Sequence, residues 1–424
     1  MTVRLNILAN YGGTIIASTI PILALPWYLD FLGAEQFGLI SFVIMLQAIL
    51  GLIDAGMSQA MIRGISQRLG LKGVGERKAA SFLFSFERIY WGFALIASLL
   101  TALFAKFIAV HWLNLGDLPV LLGEQAVLGA AVLFAVQFPG SIYRSMLVSS
   151  QKHTSLNIII SVFCILRHFG AVLLMMKWPF LFVYLAWHCV VGLLETLVRG
   201  YYAWGSLSIK RCDVVWSLSV LKSAWFFVAG MSAATWLGAL TVQMDKIILS
   251  RMVPIDQFGY YVIAATVAAG SLQMIYPLVQ VVLPRAIQLN EDIEALRALS
   301  FKLLKSIVFI VTVAGVSFFL GGHWALSLWL GNINAVESVF PLLSMLLVGT
   351  ALNAIYNVGY IYWVVYENVK RILMVNAISL VLSLLLIPFL VLWQGVIGAA
   401  FGWIVINLIG FSLSLEWLRR GKSV

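Results

Sequence analysis

About a dozen apolar runs of 18 or more residues divide this chain, and the charges gather in the short stretches between them. A helix of that length crosses the roughly 30 Å hydrocarbon core of a bilayer. In lipid, only helices and closed barrels satisfy every backbone N–H and C=O internally. A barrel would show short segments of alternating polarity instead of continuous apolar runs. The proportions agree: 62% of residues are apolar and 10% charged, against roughly 25% charged in soluble domains. The expected fold class is therefore all-α integral membrane. The spans are expected at 8–31, 37–60, 83–110, 124–148, 156–176, 180–203, 223–249, 260–283, 305–326, 338–362, 372–391 and 396–416. The first reads as a retained span and not a removed signal peptide, because no small-residue cleavage site follows it.

Charge sets the orientation. Of the 27 Lys and Arg residues, 22 fall on the side that holds the N-terminus, four on the other (Lys106, Lys177, Lys246 and Arg251), and Arg167 lies inside a span. By the positive-inside rule both termini are expected in the cytoplasm. The same rule accounts for the formal charge of +10 without nucleic acid. The loops on the far side are too short for an extramembrane domain. Cys164, Cys189 and Cys212 have neither disulfide nor metal-ligand spacing. No nucleophile–histidine spacing and no phosphate-cradling glycine loop is present, so the reading is of a non-enzyme without cofactor.

The chain also repeats itself. Glu35-Gln36-Phe37-Gly38 recurs 221 residues later as Asp256-Gln257-Phe258-Gly259, and at that offset Thr14 meets Thr235, Gln59 meets Gln280 and Gln67 meets Gln288. Six spans per half is an even number, so both halves enter the membrane in the same sense and the repeat is parallel. The expected organisation is an N-terminal lobe at 1–203, a cytoplasmic connector at 204–222 and a C-terminal lobe at 223–424. Pro21 and Pro26 in the first span, and Pro277 and Pro284 in the eighth, are expected to kink their helices.

A charge in mid-span is expensive unless it meets water or a partner, which singles out a few residues. Arg167, with His168, lies in the middle of the fifth span. It either lines a cavity and pairs with an anionic ligand, which a guanidinium can grip with two parallel hydrogen bonds, or locks two helices through a salt bridge. Arg88 and Arg144, near the cytoplasmic ends of spans three and four, could form a basic vestibule or serve as snorkelling anchors. Arg63 closes span two and has the same alternatives. Asp54 lies well inside span two with no local partner; it is either an ion-coupling group or the partner of a basic residue on a neighbouring span. Glu195 and Arg199 stand four residues apart, the spacing of an ion pair on one helix face. Asp245 and Lys246 stand where the first half has Ala24 and Leu25, and read as a gate pair specific to one lobe.

Pro26 to Gly38, followed by Asp54-Ala55-Gly56 and Arg63, resembles the N-terminal pattern of Wzx-type lipid-linked oligosaccharide flippases. That superfamily also holds multidrug exporters and lipid II flippases. Asp245-Lys246-Ile247-Ile248-Leu249-Ser250 and Gly395-Val396-Ile397-Gly398-Ala399-Ala400 are similar to its C-terminal patterns. The resemblance implies two six-helix lobes around a V-shaped cavity. The expected activity is translocation of an undecaprenyl-diphosphate-linked oligosaccharide across the bacterial inner membrane by alternating access, for O-antigen or related polysaccharide. Arg167, with Arg88 or Arg144, would hold the diphosphate. A proton or sodium coupling ion and a polysaccharide polymerase partner stay open, beside the membrane lipids themselves. Many relatives carry a basic residue where this chain has Asp30, so a role for a basic group there does not carry over. A multidrug-type antiporter and a membrane-embedded polymerase or glycosyltransferase are the alternatives.

Overall fold

The computed structural model describes residues 3–54, 56–71, 74–209, 211–214, 216 and 236–418, with side chains of the first helix described from Gly12 onward. These residues contain helices and no strand. Fourteen helices matter here: α1 (Val3–Gly51), α2 (Met57–Leu69), α3 (Gly75–Leu103), α4 (Val120–Gln137), α5 (Gly140–Ser149), α6 (His153–Met175), α7 (Leu181–Trp204), α8 (236–252), α9 (Ile255–Leu272), α10 (Tyr276–Gln288), α11 (Ile293–Leu330), α12 (Ile333–Val365), α13 (Val369–Gln394) and α14 (Val396–Ser414). Ten helical stretches among the described residues are long and apolar enough to span a bilayer. One of these, Gly12–Asp54, covers the first two expected spans. Most of the first half of the seventh expected span, 223–249, lies outside the described residues, as do Lys222 and Thr235.

The chain forms two compact units, Met1–Ala239 and Leu240–Val424. In the N-terminal unit α1 packs on α6 and α4, α7 lies against α4, α5 and α6, and α2 is held between α3 and α5. In the C-terminal unit α12 is the central helix, packed on α9, α11 and α14, with α13 on the outside of α14. Close approach of α12 and α14 depends on small residues, the usual device where lipid removes the hydrophobic drive between helices. A Cβ at Gly359 would overlap the backbone carbonyl of Ser414, and one at Gly349 would overlap the Trp403 ring.

The repeated motif stands at the junctions between expected spans, and in both copies it lies within helix. The first two spans meet directly at Gly33, whose φ of 75° and ψ of 169° turn the chain in one residue. In the second copy Asp256-Gln257-Phe258-Gly259 forms the opening turn of α9. Phe37 and Phe258 are 1% and 0% exposed, so the shared phenylalanine is a core anchor in both halves. Pro21 and Pro26 remain inside helical α1, so the sharp break in it falls at Gly33. Pro277 sits in the first turn of α10, where no backbone donor is needed.

A second break is shared. Span two is interrupted at Leu52–Asp54 and Gly56, and continues as the 13-residue α2. Span eight is interrupted after Leu272 and continues as the 13-residue α10.

Candidate functional site: carboxylates buried in the N-terminal unit

Glu195 on α7 is the centre of a buried charge cluster. Its Oε2 accepts from Arg167 Nη2 on α6 at 2.5 Å, and its Oε1 accepts from Arg199 Nη2 one turn along its own helix. The Nε atoms of Arg167 and Arg199 are buried without hydrogen-bond partners among the described residues. Two guanidiniums on one carboxylate leave the cluster with an excess positive charge. Helix register explains the meeting: α6 and α7 run side by side, and Gly140 on α5 and Gly192 on α7 leave room for the Arg199 and Gln137 side chains.

Adjoining Arg167, His168 Nδ1 lies 3.0 Å from the Tyr28 hydroxyl of α1. The Tyr28 ring meets Tyr184 edge-on at 5.1 Å, and Tyr184 covers His188 at 3.9 Å. The His188 Nδ1 is 2.9 Å from the Tyr184 carbonyl, while its Nε2 is buried with no partner among the described residues. Tyr28, Tyr184 and His188 thus extend the polar column that Arg167 and His168 begin.

Two further carboxylates serve α3. Asp54, at the break in span two, accepts from Tyr90 Oη at 2.8 Å and from Ser58 Oγ at 2.7 Å. These partners are hydroxyls and not the basic residue expected on a neighbouring span; Arg144 bears on Asp54 through its charge alone. Glu87, 1% exposed, accepts from Tyr143 and from Arg211 Nη2 at 3.1 Å. The sequence reading fixed on its neighbour Arg88 instead, yet Arg88 is exposed and lies over the Phe84 ring at 4.5 Å. Leu83, Glu87, Tyr90 and Ala94 fall on one buried stripe of α3, a spacing visible in the sequence.

The remaining expected residues are placed as follows. Arg144 is exposed on α5, and its charge bears on Arg199 as well as Asp54. Arg63 is exposed on α2. In the C-terminal unit Asp245 is buried, accepting from Tyr261 Oη at 2.6 Å and from Lys246 Nζ at 3.3 Å, while Lys246 also donates to the Val242 carbonyl at 3.1 Å. The structure therefore brings Arg167, Glu195, Arg199, His168 and Tyr28 together. Arg88 keeps separate company on α3. Among the described residues no group of three His, Cys, Asp or Glu could hold a metal ion.

The comparisons with known proteins fit this geometry. A curated Shigella flexneri protein named "Putative O-antigen transporter" is 24% identical over 99% of this chain and 98% of its own length. A solved structure of the lipid II flippase MurJ in an inward closed conformation aligns over 98% of this chain and 87% of its own, with a TM-score of 0.77 and 15% identity. An inward-facing multidrug resistance transporter of the MATE family, in the MOP superfamily, aligns over 98% of both chains with a TM-score of 0.74 and 12% identity. These two likenesses show that the chain shares the fold of those two proteins. Residues 30–338, well over half of the sequence, match the family described as polysaccharide biosynthesis protein, and the chain belongs to that family.

Proposed function

We propose that this chain is a flippase that carries an undecaprenyl-diphosphate-linked oligosaccharide from the cytoplasmic to the periplasmic leaflet of a bacterial inner membrane by alternating access. The observation that carries the reading is the Arg167–Glu195–Arg199 cluster, whose two cations surround one anion inside the apolar spans. Dragging two phosphates through hydrocarbon is prohibitive unless they are paired, and surplus guanidinium charge is the chemistry that pairs them. The names of the Shigella and MurJ relatives support the substrate class. A multidrug antiporter for cationic compounds would favour surplus carboxylate, and here Glu195 is outnumbered. Arg144, exposed and near enough to act on both Arg199 and Asp54, would guide the head group toward the cluster. Asp54 is the carboxylate best placed to couple a proton or sodium ion, being held by hydroxyls and not by a fixed cation. Both termini would face the cytoplasm, following the Lys and Arg distribution.

In cells lacking the chain, lipid-linked repeat units are expected to accumulate on the cytoplasmic leaflet, measured by their protection from an externally added glycosidase. Units that reach the periplasmic face and stay unpolymerised would overturn the reading in favour of a polymerase.

A further inference from the structure

The C-terminal unit contains a cavity of about 330 Å³ between the end of α9, α11 and α12. Met274, Ile275, Ile310, Val311, Phe318 and Phe340 are among the residues that line it, and none of the described lining residues is charged. Three hydroxyls reach the lining, and each already has a protein partner. Ser271 donates to the Ala268 carbonyl, Ser344 donates to the Phe340 carbonyl, and Thr350 accepts from Trp403 Nε1.

Helix register shows how the cavity arises. At the 221-residue offset the buried positions Gly75, Ala79, Phe82 and Phe86 of α3 coincide with the buried positions Leu296, Ser300, Leu303 and Ile307 of α11. From there α3 goes on to bury Tyr90, Ala94 and Ser98, whereas α11 buries no further residue fully until Gly322. At 1.5 Å per residue that interruption is roughly 22 Å long. Within it Val311, Ala314 and Gly315 stand where α3 has Tyr90, Phe93 and Ala94, and each is the smaller residue. Past them α11 carries the larger residues, Phe318 and Phe319 against Ala97 and Ser98, but Phe319 is 84% exposed. In the N-terminal unit the Tyr90 ring lies against Phe138 at 5.1 Å, and its hydroxyl ties α3 to Asp54. Their counterparts Val311 and Ile275 both line the cavity. Among the ten span-length stretches of the described residues, the one formed by α11 has the smallest buried share.

We infer that one acyl chain of a bilayer phospholipid fills this cavity as a fixed part of the C-terminal unit. The inference needs only that α11 spans a membrane, and it is independent of the substrate proposed above. Chemistry, size and abundance select the occupant. With the lining hydroxyls already bonded, a polar ligand would give up its bonds to water for none in return, whereas hydrocarbon loses nothing. The volume holds about ten methylenes at the ~30 Å³ that a small group occupies in a liquid. A helix from a partner or a second copy, roughly 10–12 Å across, is too thick to enter. Phospholipid is the hydrocarbon in greatest excess around a membrane span, so mass action favours its chain over that of a scarce lipid. The chain supplies to α11 the packing contacts that Tyr90 and Phe93 give α3.

The test uses the purified full-length chain in proteoliposomes made with phosphatidylethanolamine that carries a diazirine in the middle of one acyl chain. Labelled peptides are compared after illumination in the vesicles and after illumination following transfer to detergent. Segments 271–275, 310–319 and 340–354 are expected to be labelled under both conditions, and 385–393, on the exposed face of α13, only in the vesicles. A Cβ on Gly315 meets open space, so Gly315→Leu should fold normally. It should lower labelling of 271–275 and 340–354 in detergent about ten-fold, the equivalent of two displaced methylenes. Ala314→Phe, which restores the bulk of Phe93, should act alike, and in vesicles both variants should label at 385–393 as the wild type does. Phospholipid added to delipidated protein should raise the Tm of the wild type more than that of either variant. Loss of label from the cavity segments in detergent together with that from 385–393, or undiminished labelling in both variants, would overturn the inference. Displacement of the phospholipid label by a minor amount of polyprenyl phosphate would overturn it too, and would assign the cavity to the polyprenyl chain. Should a variant fail to fold, the comparison of vesicles with detergent in the wild type decides alone.

Discussion

In the N-terminal unit the break in the second span holds Asp54, with Tyr90 and Ser58 donating to it. In the C-terminal unit, 221 residues on, the break in the eighth span holds Ile275, with Val311 and Val279 in the places of the two donors. The helices that follow the two breaks are each 13 residues long. A second pair of positions diverges similarly. Glu195 is buried between two arginines, while Glu416, at the same offset, is 38% exposed and reaches Arg371 at 3.5 Å. The repeat has kept its backbone interruptions and exchanged the chemistry beside them. The N-terminal unit concentrates charge, and the C-terminal unit opens an apolar hollow in the corresponding place.

Perturbing both members of each pair can break or sharpen this contrast. The largest effect is expected at Glu195, where Glu195→Ala strands two partly buried guanidiniums and should cost about 3–5 kcal/mol. Thermal unfolding in detergent measures it, and Arg199→Ala in the same background should restore part of the loss. An unchanged Tm would mean that water already serves these cations. Exchanging the break residues comes next. Ile275→Asp places a carboxylate in a mainly apolar lining, with valines where Asp54 has its two donors, and should destabilise the chain by about 3 kcal/mol. Asp54→Leu strands the Tyr90 and Ser58 hydroxyls, at about 1–3 kcal/mol, and Asp54→Leu with Tyr90→Phe should be milder than Asp54→Leu alone. If Ile275→Asp were harmless, the two breaks would be chemically interchangeable and the contrast would fail. Smallest is Glu416→Ala, whose half-exposed and longer pairing should contribute about 1 kcal/mol; a drop matching that of Glu195→Ala would show the C-terminal pair to be equally structural.

Much of the architecture was legible because lipid leaves the backbone few options. Runs of 18 apolar residues had to be helices, and a constant 221-residue offset had to mean duplication. Charge inside a span was likewise readable: Arg167, Asp54 and Glu195 stand out in any hydropathy pattern. Their partners did not, for physical reasons. Arg167 finds Glu195 across the α6–α7 contact, and the register of two packed helices depends on side-chain fit that no linear spacing reveals. Tyr28, Tyr90, Tyr143 and Tyr261 escaped notice because tyrosine in such a chain reads as an interface anchor. Each instead pairs its hydroxyl with a carboxylate or a histidine. Glu87 was readable in principle from the buried stripe of α3, and was masked by the more conspicuous charge of Arg88 beside it.

Gly33 has a consequence beyond shaping a turn. Its φ of 75° and ψ of 169° lie in a region that essentially only glycine occupies. With a single residue joining them, the first two spans have no slack: neither can slide along its axis or rotate without taking the other with it. Tyr28, on the first of the two, and Asp54, in the turn that ends the second, therefore lie on spans joined through one glycine, and Gly33→Ala should strain that joint whatever the space around it.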